Sequence, residues 1–487
     1  MSAEKLFPPL SLESRKLLER FGAVLDEVTP LKGKHRLELR GNIRRLSETL
    51  TEKRENLGND YMGDPSNTSA YLRYFLPWNL FRLSRLFGGL EIDVPEDGVV
   101  ADFGAGPLTA MIALWIAKPE LRARRLTFVC VDRTPKPMRD GLRLFEALTG
   151  EGGKNWRATL VKGGIGMRLR EDADLVIAAN TLNEMSWTGR DTDFETGARL
   201  ALSLIKGLKD TGRLLLVETG LRRSARILSL LRGELLELGY QPMAPCTHGG
   251  ECAMHGAGTT PWCHFNFDAL DAPAWLKKLT ATANLTKQNA SLSFLYAARG
   301  EAQHGVLVRA VSEIFPLPPI HRGQYGCSDR GLTLLRYGIG GPTLFPGQTI
   351  AANWPETPEI DRKSGAVILP VPHDALPPLR GPRLADAQPP FASPSARPDR
   401  EAAKGSTNRR DKDGKRPPAK SPAGRESTPK SGGGAGKPTG GKGPSDRSGR
   451  KPSKPAGPKN SGGPARSKGP GPKSSGSKRS GSKGPKK

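Results

Sequence analysis

The sequence lacks any run of about 18 apolar residues, the length that a helix needs to cross a membrane, so we predict no membrane span. Its start, MSAEKLFPPLSLESRKLLERFG, lacks the apolar core of a secretory signal. Glu4, Glu13 and Glu19 also make this start more acidic than a mitochondrial transit peptide. We therefore expect a bacterial, cytoplasmic protein.

Cysteine is scarce as well, with five in 487 residues. In a cytoplasmic chain, cysteines indicate metal binding or chemistry rather than disulfides. Four of the five fall in the second half of the chain, and three of these lie close together between positions 246 and 263. This clustering directs attention to a metal site.

Residues 401–487 contain no Leu, Ile, Val, Met, Phe, Tyr, Trp or Cys. They carry 24 Lys+Arg against 5 Asp+Glu, which gives +19 of the whole-chain net charge of +26. A segment without apolar surface cannot offset the entropy cost of ordering its backbone. We predict a disordered basic tail over 381–487 that contacts RNA in a salt-dependent manner; the alternative is a tail that only aids solubility.

The first 90 residues have the apolar spacing of helices. SRKLLERFGAVLDEV places Leu17, Leu18, Phe21, Val24, Leu25 and Val28 at helical intervals. AYLRYFLPWNLFRLSRLFGGL follows, and Pro77 within it predicts a kink or break. We predict an N-terminal helical region over 1–90, in which the aromatic and arginine residues either pack in the core or touch RNA.

Residues 91–238 alternate between apolar strands and helices. The predicted strands are Val99–Phe103, Arg125–Asp132, RATLVKGG, Ala173–Asn180 and Gly212–Thr219. Near-continuous apolar strands that alternate with helices indicate a parallel sheet covered on both faces. The predicted fold class is α/β, with a Rossmann-like sheet of the class I methyltransferase kind. We further predict a cysteine-rich metal-binding region that completes the sheet (239–335) and a small β extension (336–380).

The loop after the first predicted strand reads D-F-G-A-G-P-L from Asp102. Gly104 and Gly106 allow close approach of a ligand, and Asp102 can order the loop or meet an amino group. Asp132 ends the second strand, where an acid accepts hydrogen bonds from ribose hydroxyls. The loop favours S-adenosylmethionine over a nicotinamide cofactor. A Rossmann domain that has lost its ligand is the structural alternative.

The predicted fourth strand ends in AANTLNEM, at the edge where class I methyltransferases place residues that face the methyl acceptor. Asn180 and Asn183 could bond a base edge, and we include Asn180 among the candidate cofactor-binding residues. The Asn/Asp-Pro-Pro-Tyr/Phe signature of base N-methylation is absent from the sequence. Cys130, inside the second strand, reads as a buried small hydrophobe rather than a nucleophile. We name no catalytic residue.

The segment APCTHGGECAMHGAGTTPWCHF holds Cys246, Cys252 and Cys263 among Gly, Pro and Thr, and Cys327 follows in GQYGCSDRG. Such a loop can wrap a metal that stabilises it. Zinc usually takes cysteines in close pairs, which this segment lacks. Iron–sulfur clusters take four thiolates at more varied spacing. From the residues alone both metals stay open, as do buried thiols without metal.

These motifs resemble those of the methyltransferase-like proteins that assist assembly of the small ribosomal subunit in mitochondria and bacteria. The resemblance covers roughly residues 40 to 335 and rests on AYLRYFLPWNLFRL, VADFGAGP, VDRTP, NTLNEM and, above all, the cysteine pattern. Leu108 departs from it, since many methyltransferases carry another glycine there.

The resemblance implies a 4Fe–4S cluster held by Cys246, Cys252, Cys263 and Cys327, with zinc as the alternative. It implies a pocket for S-adenosylmethionine around Asp102, Gly104, Gly106 and Asp132, and the small subunit with its rRNA as partner. Three functions follow as hypotheses. In the first, the chain is a methyltransferase that acts on or with the small subunit; in the second, it is a catalytically silent RNA-binding assembly factor; in the third, it is a small-molecule methyltransferase.

Overall fold

A computed structural model describes residues 5–31, 33–51, 61–184, 193–301 and 306–375. The chain divides into two units, Met1–Gln388 and Pro389–Lys487, and all described residues belong to the first. The predicted basic tail (381–487) therefore lies entirely outside the described residues. Among the described helices, none is long and apolar enough to cross a membrane.

Within the described residues, four helices precede the first strand: α1 (Leu12–Val28), α2 (Gly33–Thr51), α3 (Pro65–Ala70) and α4 (Leu76–Gly89). The Ser11 side chain caps α1 by accepting a hydrogen bond from the backbone N–H of Ser14. A π-helical turn (Tyr71–Phe75) joins α3 to α4, and Pro77 lies in the first turn of α4, where a missing N–H is tolerated. The irregularity predicted at Pro77 is thus a π turn just before it.

The main sheet and its helices follow in alternation. They are β1 (Gly98–Phe103), α5 (Thr109–Ala117), β2 (Leu126–Asp132), α6 (Pro135–Thr149), β3 (Trp156–Lys162), β4 (Ala173–Ala179), α7 (Asp193–Ile205), β5 (Leu208–Thr219), α8 (Arg222–Glu237), β6 (Tyr240–Ala244), β7 (Phe265–Asp268), α9 (Ala274–Thr282) and β8 (Asn289–Arg299). Short 3₁₀ turns lie at Tyr61–Gly63, Pro119–Leu121, Gly150–Asn155 and Leu182–Glu184. The five predicted strands are confirmed, and the fifth begins four residues earlier than the pattern indicates.

The strand order is β3-β2-β1-β4-β5-β8-β6, with β7 also paired to β8. Strands β1 to β5 are parallel, as predicted, but β8 runs antiparallel to β5, β6 and β7. The sheet is therefore mixed. The reversal arises because the chain returns after α9 and inserts β8 beside β5, which makes β8 a central strand.

Helices cover the sheet on both faces. Val100, Ile177 and Leu215 point into a core shared with the N-terminal helices, α5 and α6. Ala101 and Val176 alternate with them and point into the core formed with α7 and α8. Because both faces are covered, these strands need apolar residues at successive positions, which explains the near-continuous apolar runs in the sequence.

A second sheet follows the first. Its strands are β9 (Leu307–Ala310), β10 (Phe315–Leu317), β11 (His321–Ser328), β12 (Gly331–Tyr337), β13 (Thr349–Ala351) and β14 (Val367–Val371). The order is β13-β9-β11-β12-β14, and β10 pairs with β11. This sheet encloses its own small core around Leu335, Tyr337 and Leu369. It draws strands from both the predicted cysteine-rich region and the predicted β extension.

Candidate functional site

The first candidate site lies at the carboxyl edge of the main sheet, between β1 and β4. The strand order reverses at this point, because β2 lies on one side of β1 and β4 on the other. In open α/β sheets such a switch point forms a crevice that receives ligands. Asp102, Gly104, Gly106, Asp132 and Asn180 all lie at this edge. The structure therefore brings together the five residues that the sequence selects for the cofactor.

Backbone hydrogen bonds to β2 hold the glycine loop in place. The N–H groups of Gly104 and Ala105 both donate to the Val131 carbonyl, at 2.7 and 3.1 Å. Gly104 and Gly106 have positive φ angles of 74° and 49°. A Cβ on Gly104 would lie 2.0 Å from Thr181 Oγ1, on the loop after β4. Gly104 is thus required by its conformation and by the close approach of Thr181.

Leu108 also adopts a left-handed conformation, with φ of 53°, at the residue before α5. Its side chain is fully buried in the core. A left-handed backbone is unfavourable for a β-carbon-bearing residue, and this explains in physical terms why glycine suits the position. The chain keeps the loop conformation, and leucine gains core packing in return.

Asp132 organises the glycine loop through its side chain. One carboxylate oxygen accepts a hydrogen bond from the Gly106 N–H at 3.0 Å, and the other accepts one from the Thr134 N–H at 2.8 Å. Each oxygen keeps a further lone pair. The carboxylate can therefore hold the loop and still accept hydrogen bonds from two ribose hydroxyls.

Asp102 is 2 % exposed, and its Oδ2 is buried without a hydrogen-bond partner in the described structure. Burial, and secondarily the neighbouring charge of Asp132, raises the pKa of Asp102 to about 7. A buried carboxylate oxygen without a donor is costly. The arrangement fits a ligand that brings a cationic amino group to this oxygen.

Two side chains that the sequence interpretation missed fix the end of β4. Arg82, on α4, donates to Asn180 Oδ1 at 3.2 Å and to the Ser291 carbonyl at 3.0 Å. Asn180 has a positive φ of 59°, and its N–H bonds the Val217 carbonyl at 2.7 Å. Arg82 comes from a region that carries no local sequence signal for this role.

Glu218, near the end of β5, is the second missed residue. It is fully buried and accepts from the Leu182 N–H at 2.7 Å and from the Asn183 side-chain amide. A carboxylate inside the apolar run LLLVET was the available signal. Asn180 and Asn183, expected to face an acceptor, each use one side-chain atom in these protein contacts; Met185 of the same motif lies outside the described residues.

Lys287 is a second basic side chain beside Arg82, about half protonated near neutral pH. Its Nζ lies 4.8 Å from the centre of the Trp78 ring. Burial, with a further contribution from Arg82, lowers the pKa of Lys287 to about 7. This edge of the site is therefore basic and is bounded by an aromatic residue. Such surroundings suit an anionic or aromatic acceptor.

The second candidate site is the cysteine loop. The loop leaves the sheet after β6 and returns at β7, and both strands pair with the same edge of β8. Cys246, Cys252 and Cys263 lie on the loop, whereas Cys327 lies on β11 of the second sheet, opposite Arg309 and Leu332. The two sheets thus supply cysteines to one neighbourhood.

Three of the four thiols, those of Cys246, Cys263 and Cys327, have raised pKa values. Burial and the nearby thiols of Cys246, Cys252 and Cys327 raise the pKa of Cys263. Burial and the thiols of Cys246 and Cys252 raise the pKa of Cys327 in the same way, and burial and Cys252 raise that of Cys246. The four thiols therefore lie in one neighbourhood, within range of one another's charge.

The buried side chain of Arg232, on α8, binds the cysteine loop. Its Nε donates to Cys246 Sγ at 3.3 Å, and its Nη2 donates to the carbonyls of His248 and Gly250 at 2.9 and 2.7 Å. Buried His248 places Nε2 3.5 Å from Cys327 Sγ. Arg232 is a cation beside a group of thiols and favours their charged forms.

Within the described residues, no group of three or more His, Cys, Asp or Glu side chains is arranged to hold a metal ion. The thiols converge without forming a ligand set, so the predicted 4Fe–4S cluster and the metal-binding insertion are not shown. Cys130 stands apart in β2. It is fully buried, and burial raises the pKa of its thiol, which fits a structural role.

No curated protein matches the sequence significantly. Solved structures with similar folds include a methyltransferase from Pyrococcus furiosus, with 14% identity over 42% of this chain and 77% of that chain and a TM-score of 0.25. A ribosomal protein L11 methylase from Lactobacillus delbrueckii subsp. bulgaricus has 16% identity over 45% and 78%, with a TM-score of 0.26. Because these TM-scores are low, we assign the fold from the strand order of the chain itself and not from these structures.

A Thiobacillus denitrificans SAM-dependent methyltransferase, solved with S-adenosyl-L-homocysteine, has 14% identity over 46% of this chain and 92% of that chain, with a TM-score of 0.27. Residues 83–315 match the model of a family described as mitochondrial small ribosomal subunit Rsm22. The match runs from α4 to β10 and contains both the glycine loop and three of the four converging cysteines. Over these residues the chain is similar to that family.

Proposed function

We propose that this chain is a SAM-binding, methyltransferase-like protein that acts on or with the small ribosomal subunit. The observation that carries the cofactor is Asp102, a buried carboxylate with an unpartnered oxygen beside a loop ordered by Asp132. The antiparallel β8 between β5 and β6 differs from the 3-2-1-4-5-6 order of dinucleotide-binding sheets. The similarity of residues 83–315 to the Rsm22 family supports the ribosomal partner.

In this proposal each residue has a physical task. Asp102 would pair with the amino group of the cofactor, Asp132 would accept from its ribose hydroxyls, and Gly104 and Gly106 would let it approach the backbone. When bound, the cofactor supplies an electrophilic methyl group on a sulfonium. The protein's own contribution would then be orientation and exclusion of water at the crevice between β1 and β4.

Calorimetry with S-adenosylmethionine tests the pocket. We expect micromolar binding by the full-length protein and a loss of about 100-fold in Asp132→Ala, because both the loop contact and the ribose contacts are removed. Asp172→Ala removes an exposed carboxylate just before β4, at the opposite edge of the sheet, and is the control that should leave affinity unchanged. Absence of binding by the wild-type protein would overturn the cofactor proposal.

Cosedimentation with 30S subunits at low salt tests the partner. We expect the full-length protein to migrate with the particle, and a version that lacks 381–487 to retain part of the binding, because residues 1–380 still carry a net charge of +6 (the whole-chain +26 minus +19 for 401–487 and +1 for 381–400). No comigration of either protein would contradict the ribosomal assignment. A tritium-transfer assay on 30S subunits and free metabolites separates rRNA from small-molecule methylation.

A catalytically silent assembly factor is the second candidate function. The observation that favours it is that Asn180 and Asn183 are engaged by Arg82 and Glu218 at the acceptor edge. Binding of 30S particles with no methyl transfer to them would select this function. The proposed location stays a bacterial cytoplasm, although the description of the matched family names the mitochondrial subunit.

For the cysteines we propose a 4Fe–4S cluster, with zinc as the alternative. The proposal is supported by the mutual proximity of the four thiols and by a donor set whose thiolates suit either metal. Metal and sulfide analysis of anaerobically purified protein decides between them. About four irons with sulfide per chain indicate the cluster, and about one zinc without sulfide indicates a structural zinc site.

A further inference from the structure

A basic groove lies between α2 and the end of α9, and its lining contains none of the residues described above for the two candidate sites. It encloses about 470 Å³ and is lined by Arg40, Arg44 and Arg45 on α2, with Thr282 and Asn284 on the opposite wall. We call it the arginine groove. Three exposed guanidinium groups, spaced at i, i+4 and i+5, lie on one side of the same helix.

Two of these arginines are held by the protein. Arg44 donates from Nε and Nη2 to the Ala283 carbonyl, at 3.4 and 3.3 Å, and so connects α2 with the end of α9. Arg45 donates to Asn42 Oδ1. Each guanidinium has five N–H donors, so most donors stay available to a ligand. The groove is therefore partly organised before anything binds.

Carboxylates offset the charge of these arginines only in part among the described residues: Asp64 lies near enough to Arg45 that the arginine, after the hydrogen bonds from Ser66 and Asn67, helps to lower the pKa of this carboxyl. None of the three forms an ion pair there, and the acid on the groove wall, Glu38, pairs with Lys34 instead. The segment Gly33–Thr51 contains five Lys and Arg residues but two acidic residues. The groove thus presents a net positive charge to solvent.

An apolar side chain lies at the same groove. Leu37 lines it and is 80 % exposed. Guanidinium forks match phosphate oxygens in a bidentate manner, and an apolar group beside them can contact a ribose or base. A lipid surface would require several apolar anchors on a basic face. Among the described residues that line this groove, Leu37 is the one large apolar side chain.

We propose that the arginine groove binds the phosphate backbone of RNA. This inference rests on the proposed function, because it identifies the face of the folded part that contacts RNA. It assigns that contact to α2 and α9 rather than to the basic tail alone. Each phosphate neutralised by an arginine releases counterions, so the groove must contribute to the salt dependence of binding.

The test measures binding of the full-length protein to an RNA hairpin of roughly 16 base pairs, by fluorescence anisotropy over a range of salt concentrations. The groove variant is Arg40→Gln/Arg44→Gln/Arg45→Gln. The matched control, Arg157→Gln/Arg168→Gln/Arg170→Gln, removes the same charge from three exposed positions elsewhere. Both keep the tail, so its contribution is common to all proteins compared.

We expect the groove variant to lose at least tenfold in affinity and the slope of log K against log salt to become shallower by about two to three, since each phosphate contact contributes about 0.9. The control should leave the slope nearly unchanged. Arg40→Gln alone should lower the slope by about one. This single variant keeps the test valid if loss of Arg44 disturbs the packing of α2, which a thermal unfolding midpoint would reveal.

Equal losses in the groove and control variants would overturn the proposal, because they would show a general effect of charge. Preferential binding to phosphatidylserine vesicles, with no effect of the variant on RNA, would overturn it as well. If the groove variant binds the hairpin and 30S subunits like wild type, the proposal that the arginine groove binds RNA is wrong, and the proposed function stands. If wild-type protein binds neither, the proposed function fails first.

Discussion

The glycine loop and the cysteine loop are built in different ways. Gly104 and Ala105 are fixed by hydrogen bonds to the backbone of β2, within a few residues of the strands that carry them. The cysteine loop is held by long side chains of α8: Arg232 reaches Cys246 and two carbonyls, and Arg222 reaches the carbonyls of Gly256, Gly258 and Thr260. The first loop is positioned by the sheet, whereas the second is positioned by two arginines together with backbone hydrogen bonds inside the loop, such as the one from the Cys263 N–H to the Met254 carbonyl at 3.1 Å.

This difference has a consequence for how each site responds to its ligand. A loop held by sheet backbone can adopt its binding conformation without a ligand, so the cofactor finds a formed crevice. The cysteine loop is held by a few side chains and its own turns, and the pKa values of its Cys246 and Cys263 thiols are raised by burial. Such a loop is more stable once a metal takes the thiolates. We therefore expect metal to stabilise the cysteine loop more than the cofactor stabilises the glycine loop.

The largest expected effect comes from the cysteines. Replacing any one of Cys246, Cys252, Cys263 or Cys327 by Ser should remove most of the bound metal and make the region between Gly239 and Cys327 sensitive to protease. The affinity for S-adenosylmethionine should stay within about twofold, because the two loops are held independently. Metal analysis and limited proteolysis measure both. Cys130→Ala, at the thiol outside the cluster, is the control that should retain metal.

Unchanged protease resistance of this region in all four serine variants would show that the loop does not depend on the thiols. It would also remove the contrast between the two loops. A loss in three variants but not in the Cys327 variant would instead restrict the site to the loop itself and exclude the second sheet.

The second largest effect concerns Gly104. In Gly104→Ala the new Cβ would meet Thr181 at 2.0 Å in a backbone with φ of 74°, so the loop or Thr181 must move. We expect a loss of about 3 kcal/mol in the free energy of unfolding, measured by urea denaturation, with loss of cofactor binding. Gly106→Ala is the matched comparison. Its Cβ meets nothing within 4 Å, so only strain of about 1 kcal/mol is expected.

Equal destabilisation in the two alanine variants would show that backbone conformation alone determines the loop. The close approach between Gly104 and Thr181 would then make no separate contribution to the loss in the free energy of unfolding. A larger loss in Gly104→Ala, relieved by a second change of Thr181→Ala, which removes both Oγ1 and Cγ2, would locate the conflict in the side-chain contact. The double-mutant comparison therefore separates strain from collision.

The sequence predicts the residues whose positions depend on a local pattern better than those whose positions depend on tertiary contacts. The glycine loop, Asp102 and Asp132 were predictable because a local pattern of strand, glycine turn and strand determines their positions. Arg82 and Glu218 were not predicted, because their roles arise from tertiary contacts between α4, β5 and the end of β4. Sequence spacing carries no information on which distant helix reaches a loop.

The cysteine neighbourhood shows the other limit. Its four members were predicted from a family resemblance, and the structure does bring them together. Arg232, which contacts Cys246, lies in an ordinary amphipathic helix and has no motif of its own. The antiparallel insertion of β8 was also not predicted, because an apolar run indicates a buried strand but not its direction.

Arg232→Met tests the support of the cysteine loop. The variant keeps much of the apolar stem but leaves the carbonyls of His248 and Gly250 without their donor. We expect a loss of about 2 kcal/mol in stability and weaker retention of metal against a chelator. Arg232→Lys restores the positive charge but cannot make both carbonyl contacts. Its stability and metal retention should therefore fall between those of the wild type and the methionine variant. Metal retention equal to wild type in the methionine variant would contradict this role.

The smallest expected effect is the pH dependence of cofactor binding through Asp102. Burial raises the pKa of this carboxyl to about 7 from 3.8, so the folded protein holds a proton that the unfolded chain has released, and its stability falls as pH rises from about 4 to 7. A cationic amino group favours the ionised carboxylate. We therefore expect affinity for S-adenosylmethionine to rise by about eightfold between pH 6 and 7.5, as the ionised fraction rises.

Asp102→Asn removes the titrating group and keeps the size of the side chain. It should bind more weakly at pH 7.5, show little dependence on pH over the same range, and be more stable than wild type at pH 8 but not at pH 4. Calorimetry and thermal unfolding across pH measure these changes. If the asparagine variant keeps the wild-type pH dependence, another group titrates with binding, and the unpartnered oxygen of Asp102 does not receive the amino group.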